Sequence, residues 1–187
     1  MRRFPVAQAG ALALLYALTG CSKPSGDLRA LAVGPLAALK ITASPKPGPT
    51  VPFKDAAGAE HTLAEFKGKV TIVNLWANWC PPCKAEIPTL ATLAREEAGR
   101  PVAVVPISVG KGADEIAGEA FIAAHPPLTF YTEPTYRFAF SLQPPAEDMP
   151  TTVIFDRKGV ERARLAGGAD WSSPQAKALI DQLIAAS

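Results

Sequence analysis

The apolar and polar positions divide the chain into blocks, and the most coherent block is Lys69–Trp76, K-V-T-I-V-N-L-W. It is β-branched, continuously apolar in its middle and of the right length for a buried parallel strand. Pro81–Ala98 follows it as a helix. Val102–Val109 (V-A-V-V-P-I-S-V) reads as a second buried strand, although Pro106 offers no N–H to a central ladder and suggests a bulge. Asp114–His125 reads as a helix, Leu128–Tyr131 as a short strand and Pro134–Ser141 as a short helix. Thr151–Phe155 and Val160–Leu165 flank the turn sequence D-R-K-G, which predicts an antiparallel hairpin. Ser173–Ala186 closes the chain as a helix, with Ser172 or Ser173 as N-cap and Pro174 at the first helical position. Upstream, the stretch from Val51 predicts a hairpin around Ala57-Gly58, and Leu63–Phe66 a helical turn. A β-α-β unit followed by β-β-α predicts an α/β fold, a central mixed sheet with helices on both faces and a helical insertion before the final hairpin.

The first 49 residues have a different pattern. Arg2 and Arg3 precede the apolar run Ala9–Leu18, which is too short for a comfortable bilayer span and suits a signal sequence. The run ends in L-T-G-C, which resembles the lipobox of bacterial lipoproteins, where cleavage precedes the cysteine and its sulfur is lipidated. The expected organisation is a lipoprotein signal peptide over 1–20, a flexible Ala/Gly/Pro-rich tether over 21–49 starting at a lipidated Cys21, and a domain over 50–187. Leu28–Lys40 has the composition of a short helix, interrupted at Gly34-Pro35. An uncleaved anchor or an ordinary secretory signal are the alternatives for the N-terminus. Each exports the domain into an oxidising space, where a dithiol must be actively kept reduced to act as a reductant.

Composition narrows the function. The chain has 187 residues, 48% of them apolar and 19% charged, which suits one globular domain with appendages. Its net charge is +2, and without Arg2 and Arg3 the basic side chains only equal the 17 acidic ones. Long-range steering by net charge is therefore not the expected means of finding a partner, and nothing suggests nucleic acid. His61 and His125 read as ordinary surface or loop residues, isolated from each other and without the ligand cluster of a metal site.

The candidate chemistry is in Trp76–Pro88, W-A-N-W-C-P-P-C-K-A-E-I-P. Cys80 falls where strand becomes helix, at the N-cap or first helical position, and Cys83 lies one turn further on the same face. Free N–H groups and the positive end of the helix dipole favour a thiolate at Cys80, the form that attacks disulfides. Pro81 and Pro82 are tolerated in the first turn and stiffen the loop. Cys83 is then the resolving thiol. A zinc site would need four ligands, and the third cysteine, Cys21, belongs to another segment. A structural staple is also disfavoured, because so short a loop hardly restrains the unfolded chain.

W-x-x-W-C-P-P-C-K between a buried strand and a helix resembles the thioredoxin superfamily, and G-K-V-T-I-V-N-L-W-A-N-W-C-P-P-C-K-A-E-I-P-x-L resembles its exported TlpA/ResA branch. The likeness runs from about Val51 to the C-terminus, through M-P-T-T-V-I-F-D-R-K-G and A-G-G-A-D-W-S-S-P-Q-A, and is strongest to TlpA. It implies a thioredoxin-like fold. It also implies that Pro150 is the cis-proline lying against the dithiol, with Met149, Trp79, Pro81 and Pro82 lining the partner groove. Family members commonly have Gly before Met-Pro, where this chain has Asp148. Glu86 occupies the slot of a glutamate proposed to influence thiol ionisation. Asn74 stands where cytoplasmic thioredoxins carry a buried aspartate, and is expected to have no comparable part in the pH dependence. A carboxyl at Glu86 could exchange the proton of the resolving thiol; the bland reading is a solvated first-turn charge. Trp76 is expected in the core, Lys84 as a solvated head and Pro88 as the kink proline of the helix.

The resemblance implies a protein thiol–disulfide oxidoreductase, expected to be a monomeric reductase on the periplasmic side of a bacterial membrane. Its one redox group would be the disulfide Cys80–Cys83, with no added cofactor or metal. Expected partners are disulfides in cytochrome c or in copper-centre assembly proteins, with a membrane thiol electron donor. A disulfide-introducing oxidase would carry the same motif. A Sco-like copper chaperone would need C-x-x-x-C, and a thiol peroxidase a differently placed cysteine.

Overall fold

β4 (Val70–Trp76) is the axis of the fold, and all seven of its residues are buried in this computed structural model, which describes residues 27–186. Its side chains alternate between two apolar layers. Val70, Ile72 and Trp76 enter one cluster, Val73 and Leu75 the other. Around it lie β1 (Lys40–Ile41), β2 (Phe53–Asp55), β3 (Glu60–His61), β5 (Val102–Ser108), β6 (Tyr131–Thr132), β7 (Thr151–Phe155) and β8 (Glu161–Ala166). They form one mixed sheet in the order β1-β8-β7-β4-β5-β6-β2-β3, with β4, β5 and β6 parallel and the other pairings antiparallel. The helices are α1 (Pro81–Glu96), α2 (Ala113–Ala123), α3 (Arg137–Ser141) and α4 (Pro174–Ala185). α1, α4 and Ile122 of α2 share the cluster on one face of the sheet, and Phe138 and Ala139 of α3 join the cluster on the other. This is the mixed α/β architecture expected from the order of elements.

Local chemistry accounts for the boundaries. α1 begins at two prolines and buries Cys83, Glu86, Ile87, Leu90, Ala91 and Leu93, positions that recur at helical spacing. It continues through Pro88 and ends at Glu96, with Gly99 beyond it at φ 81°. α4 has Ser173 as N-cap, its side chain accepting from the Ala176 amide, and Pro174 in the first turn. Pro106 causes no bulge: the β4–β5 register runs unbroken from Val70↔Val102 to Trp76↔Ser108. β6 pairs with β5 only from Ile107 onward, so Pro106 lies at the margin of that ladder, where a missing donor is tolerated. The register shift falls instead at Ile154/Phe155 between β7 and β8.

The largest departure from the sequence reading is upstream. The expected signal sequence and Cys21 lie outside the described residues, but 27–49 is not a free tether. Asp27 caps a 3-10 turn over Leu28–Leu31, and Gly34, at φ 55°, opens a second over Gly34–Leu36, so the expected interruption at Gly34-Pro35 is present but the turns are 3-10. Leu36 and Leu39 are buried in the cluster that contains α4. β1 then pairs with β8 through Lys40↔Arg164 and Ile41↔Ala163, covering an edge that would otherwise be open. Further on, the Gly48 amide donates to the Gly159 carbonyl at 2.9 Å. A Cβ on Gly48 would meet Leu63 Cδ1 at 2.7 Å, so glycine lets the backbone pass that close. The Gly and Pro that suggested flexibility thus serve a docked segment, and the folded unit includes residues 27–49.

Leu36→Ala is expected to destabilise the protein by about 2–5 kcal/mol, read as a lowered urea midpoint. An unchanged midpoint would mean that this segment is free in solution.

Candidate active site

The end of β4 and the start of α1 bring the two cysteines together. Cys80 is the N-cap of α1, in extended backbone, and is disulfide-bonded to Cys83 with the Cα atoms 5.3 Å apart. Pro81 and Pro82 donate no N–H, so the Cys83 amide is the first free donor of the helix. It points at Cys80 Sγ, 3.3 Å away. Cys80 is 3% exposed and Cys83 fully buried, so the difference in access is in the expected order but small. Trp79, immediately before the pair, is 58% exposed, and Pro81 and Pro82 are also at the surface. Trp76 is in the core. Lys84 places its ammonium 5.4 Å from the centre of the Phe121 ring on α2.

The Met149–Pro150 peptide is cis. Leu75 pairs with Thr151, which brings Pro150 to the end of β4 from which the dithiol loop departs. Pro150 is buried, and Met149 is half-buried against the clusters on both faces. Asp148 is exposed at the surface beside them.

Glu86 is buried, at 2% exposure, and so is not a solvated first-turn charge. One turn beyond Cys83, it points toward the sheet face that carries Asn74 and Thr152, which are paired neighbours on β4 and β7. Asn74 Nδ2 donates to Glu86 Oε2 at 3.1 Å and to Thr152 Oγ1 at 2.9 Å, and Thr152 Oγ1 lies 3.5 Å from Glu86 Oε1. The indole Nε1 of Trp171 donates to Glu86 Oε1, and the backbone of Ala169 adds a further bond. Burial pushes the Glu86 carboxyl up to about 7, against the opposing pull of the bonds from Trp171, Asn74, Ala169 and Thr152. Asn74 is therefore no bystander: it cannot titrate, but it holds the group that does. Trp171 and Thr152 escaped the sequence reading. Both lie in the segments that carried the family likeness, M-P-T-T and A-G-G-A-D-W, but no spacing rule links them to a helix so distant in sequence.

The histidines lie outside this constellation. His61 has carboxylate neighbours of its own: its two ring nitrogens meet Glu65 Oε2 at 2.8 Å and Asp55 Oδ2 at 3.1 Å, and these bonds raise its pKa. His125 Nδ1 contacts the Phe121 carbonyl oxygen at 2.7 Å. Among the described residues, no three His, Cys, Asp or Glu side chains converge to hold a metal ion.

A mixed sheet with a C-x-x-C pair capping the helix that follows its central strand, and a proline opening the antiparallel strand beside that strand, defines the thioredoxin-like class. The chain belongs to the Redoxin family, whose model matches residues 43–180. It is similar to the thiol-disulfide oxidoreductase ResA of Bacillus subtilis, 28% identical over 114 residues, which are 59% of this chain and 60% of that protein. The match thus spans less than two thirds of that relative. It is also similar to the thiol:disulfide interchange protein DsbE of Pseudomonas aeruginosa, 26% identical over 132 residues, 70% of this chain and 69% of that one. A secreted thiol-disulfide isomerase from Corynebacterium glutamicum shares the fold with a TM-score of 0.67 at 20% identity, covering 93% of this chain and 99% of its own.

The buried acid makes stability depend on pH. The Glu86 carboxyl stands near 7 in the folded chain against 4.5 for an ordinary glutamate, so between those values the folded state binds more protons than the unfolded one. Its contribution is complete below about pH 4.5 and is lost as pH rises through about 7. Oxidised wild type should lose about 2–3 kcal/mol between pH 5 and 8 relative to Glu86→Gln, by urea unfolding at each pH. Parallel pH profiles for the two proteins would contradict the burial of an ionisable acid there.

Proposed function

We propose that the protein is an exported, membrane-tethered thiol–disulfide oxidoreductase of the ResA/DsbE type, TlpA-like in character, that reduces disulfides in partner proteins. The observation that carries this reading is the Cys80–Cys83 disulfide at the mouth of α1, with the Cys83 amide aimed at Cys80 Sγ. In the reduced protein that donor faces the sulfur on which negative charge develops. The Cys80 thiolate attacks one sulfur of a partner disulfide, and the partner's other sulfur leaves as a thiolate and takes up a proton. The mixed disulfide is resolved when Cys83 loses its proton to Glu86 and attacks Cys80 Sγ, releasing the second partner thiolate. The partner gains two electrons, and the enzyme is left with the Cys80–Cys83 disulfide, its one redox group. A membrane thiol donor then reduces it again.

The partner strand would lie along Met149–Pro150, beside the exposed ring of Trp79 and the Pro81-Pro82 surface. The substrates are cysteine pairs of cytochrome c or of copper-centre assembly proteins, met by a monomeric enzyme on the periplasmic side of the membrane. Signal 1–20 would be removed and Cys21 lipidated. Only residues 22–26 would then separate the anchor from the docked segment. Among the described residues no helix is long and apolar enough to cross a membrane.

Cys80 is expected to be alkylated first at neutral pH in the reduced protein, and Cys83→Ser to accumulate mixed disulfides through Cys80 on non-reducing gels. Capture by Cys80→Ser through Cys83 would reverse the assigned roles. Equilibration with glutathione gives the direction of electron flow: a potential near that of strong oxidants, about −120 mV, would make the protein a disulfide-introducing oxidase instead. Cys21→Ser is expected to release the protein from the membrane fraction, read by fractionation, and full retention would place the anchor elsewhere.

A further inference from the structure

The closing segment Gly167–Trp171 runs past the whole active site. The Gly167 amide donates to the Pro150 carbonyl at 2.8 Å. The Cβ position of Gly168 lies 3.6 Å from the Pro82 carbonyl oxygen, inside the redox loop. Ala169 bonds Glu86 through its backbone. Trp171, itself buried, is hooked to one turn of α1 at two points. Its indole N–H donates to Glu86 Oε1, and its backbone amide donates to Thr89 Oγ1 at 3.1 Å, while that hydroxyl donates to the Glu86 carbonyl at 2.8 Å. Gly168, Ala169 and Asp170 also line a cavity with Pro82 and Glu86, so the strap forms one wall of the approach to the carboxyl.

We infer that Trp171 is a positioning residue for the resolving step, holding the Glu86 carboxyl by its indole N–H and tying it, through the strap, to Pro150 and the Cys-Pro-Pro-Cys loop. The inference rests on the reading of Glu86 as the group that takes the Cys83 proton. An indole N–H can only donate, so it bonds carboxylate and carboxylic acid alike but binds the charged form more strongly. It therefore keeps Glu86 available as a base in a site whose burial opposes ionisation. The other groups facing Glu86 are Asn74 from β4, Thr152 from β7 and Ala169 from the closing segment; Cys83 precedes it by one helical turn, and Asp170 is the second carboxylate lining the cavity. Of these only Cys83, once reduced, and Asp170 can change charge. Asp170 accepts from the Ser172 amide at 2.9 Å and from the Ser172 hydroxyl, within its own turn.

The test replaces the N–H and leaves the ring. Trp171→Phe removes the donor, and replacement of Trp171 by 3-benzothienylalanine removes it with almost no change of shape, which covers the case in which Phe packs poorly. Two readouts are followed: the Glu86 carboxyl titration by carbon-13 NMR in the oxidised protein, and the pH profile of resolution of a preformed Cys80 mixed disulfide. Both midpoints are expected to rise by about one pH unit or more on loss of a charge-assisted bond. Adding Glu86→Gln to either replacement is expected to abolish the difference from Glu86→Gln alone. A folded replacement whose Glu86 titration does not move overturns the inference while leaving Glu86 as the base. A resolution profile unchanged by Glu86→Gln overturns the reading of Glu86, and the role of Trp171 in resolution falls with it.

Discussion

The structure depends on β4 being buried on both faces and paired on both edges. A strand so enclosed has no freedom of register, because a one-residue slip would exchange its two apolar layers. Its end is therefore a fixed point, and the chain leaving it must turn within Ala77–Trp79 to start α1 against one face of the sheet. Two prolines at the start of that helix remove the first two donors and leave the Cys83 amide to face Cys80 Sγ. The position of the dithiol thus follows from the burial of a strand rather than from contacts of its own.

The same layer holds the acid. The strand face that packs on α1 carries Ile72, Asn74 and Trp76, so one polar side chain sits among apolar ones. A carboxyl buried there without donors would be neutralised or would unfold its surroundings. Asn74, Thr152, Ala169 and Trp171 supply donors from three separate stretches of chain. The arrangement lets Glu86 ionise near neutral pH without binding it so strongly that it loses the ability to take a proton. It also makes the closing segment part of the site, although Trp171 carries no chemistry by itself.

The docked N-terminal segment alters how a tethered enzyme would work. Because Leu36, Leu39 and β1 pack on α4 and β8, an anchor at Cys21 of the kind proposed would meet the domain at a defined place on its surface. Pro35 of this segment lines the same cavity as Glu86 and Pro82, so the segment also helps to wall the approach to the acid.

The sequence by itself determined the redox pair, its place at the strand–helix junction, the order of the elements and the family likeness. Those features rest on local rules: apolar runs for strands, helical spacing for Cys83 and Glu86, capping preferences for Cys80 and Ser173. It also put a carboxyl on the cysteine face of α1, but could not tell a buried acid from a solvated one, because helical spacing specifies a face and not what covers it. Only the tertiary structure decided that. Packing of β7 and the closing segment brought Thr152 and Trp171 onto Glu86 from residues 66 and 85 positions away. The same limit explains 27–49, where Gly and Pro read as flexibility until the burial of Leu36 and Leu39 and the open edge of β8 gave the segment somewhere to bind. Long-range burial and pairing leave no periodic mark on a sequence, and at this site they set the environment of the proton.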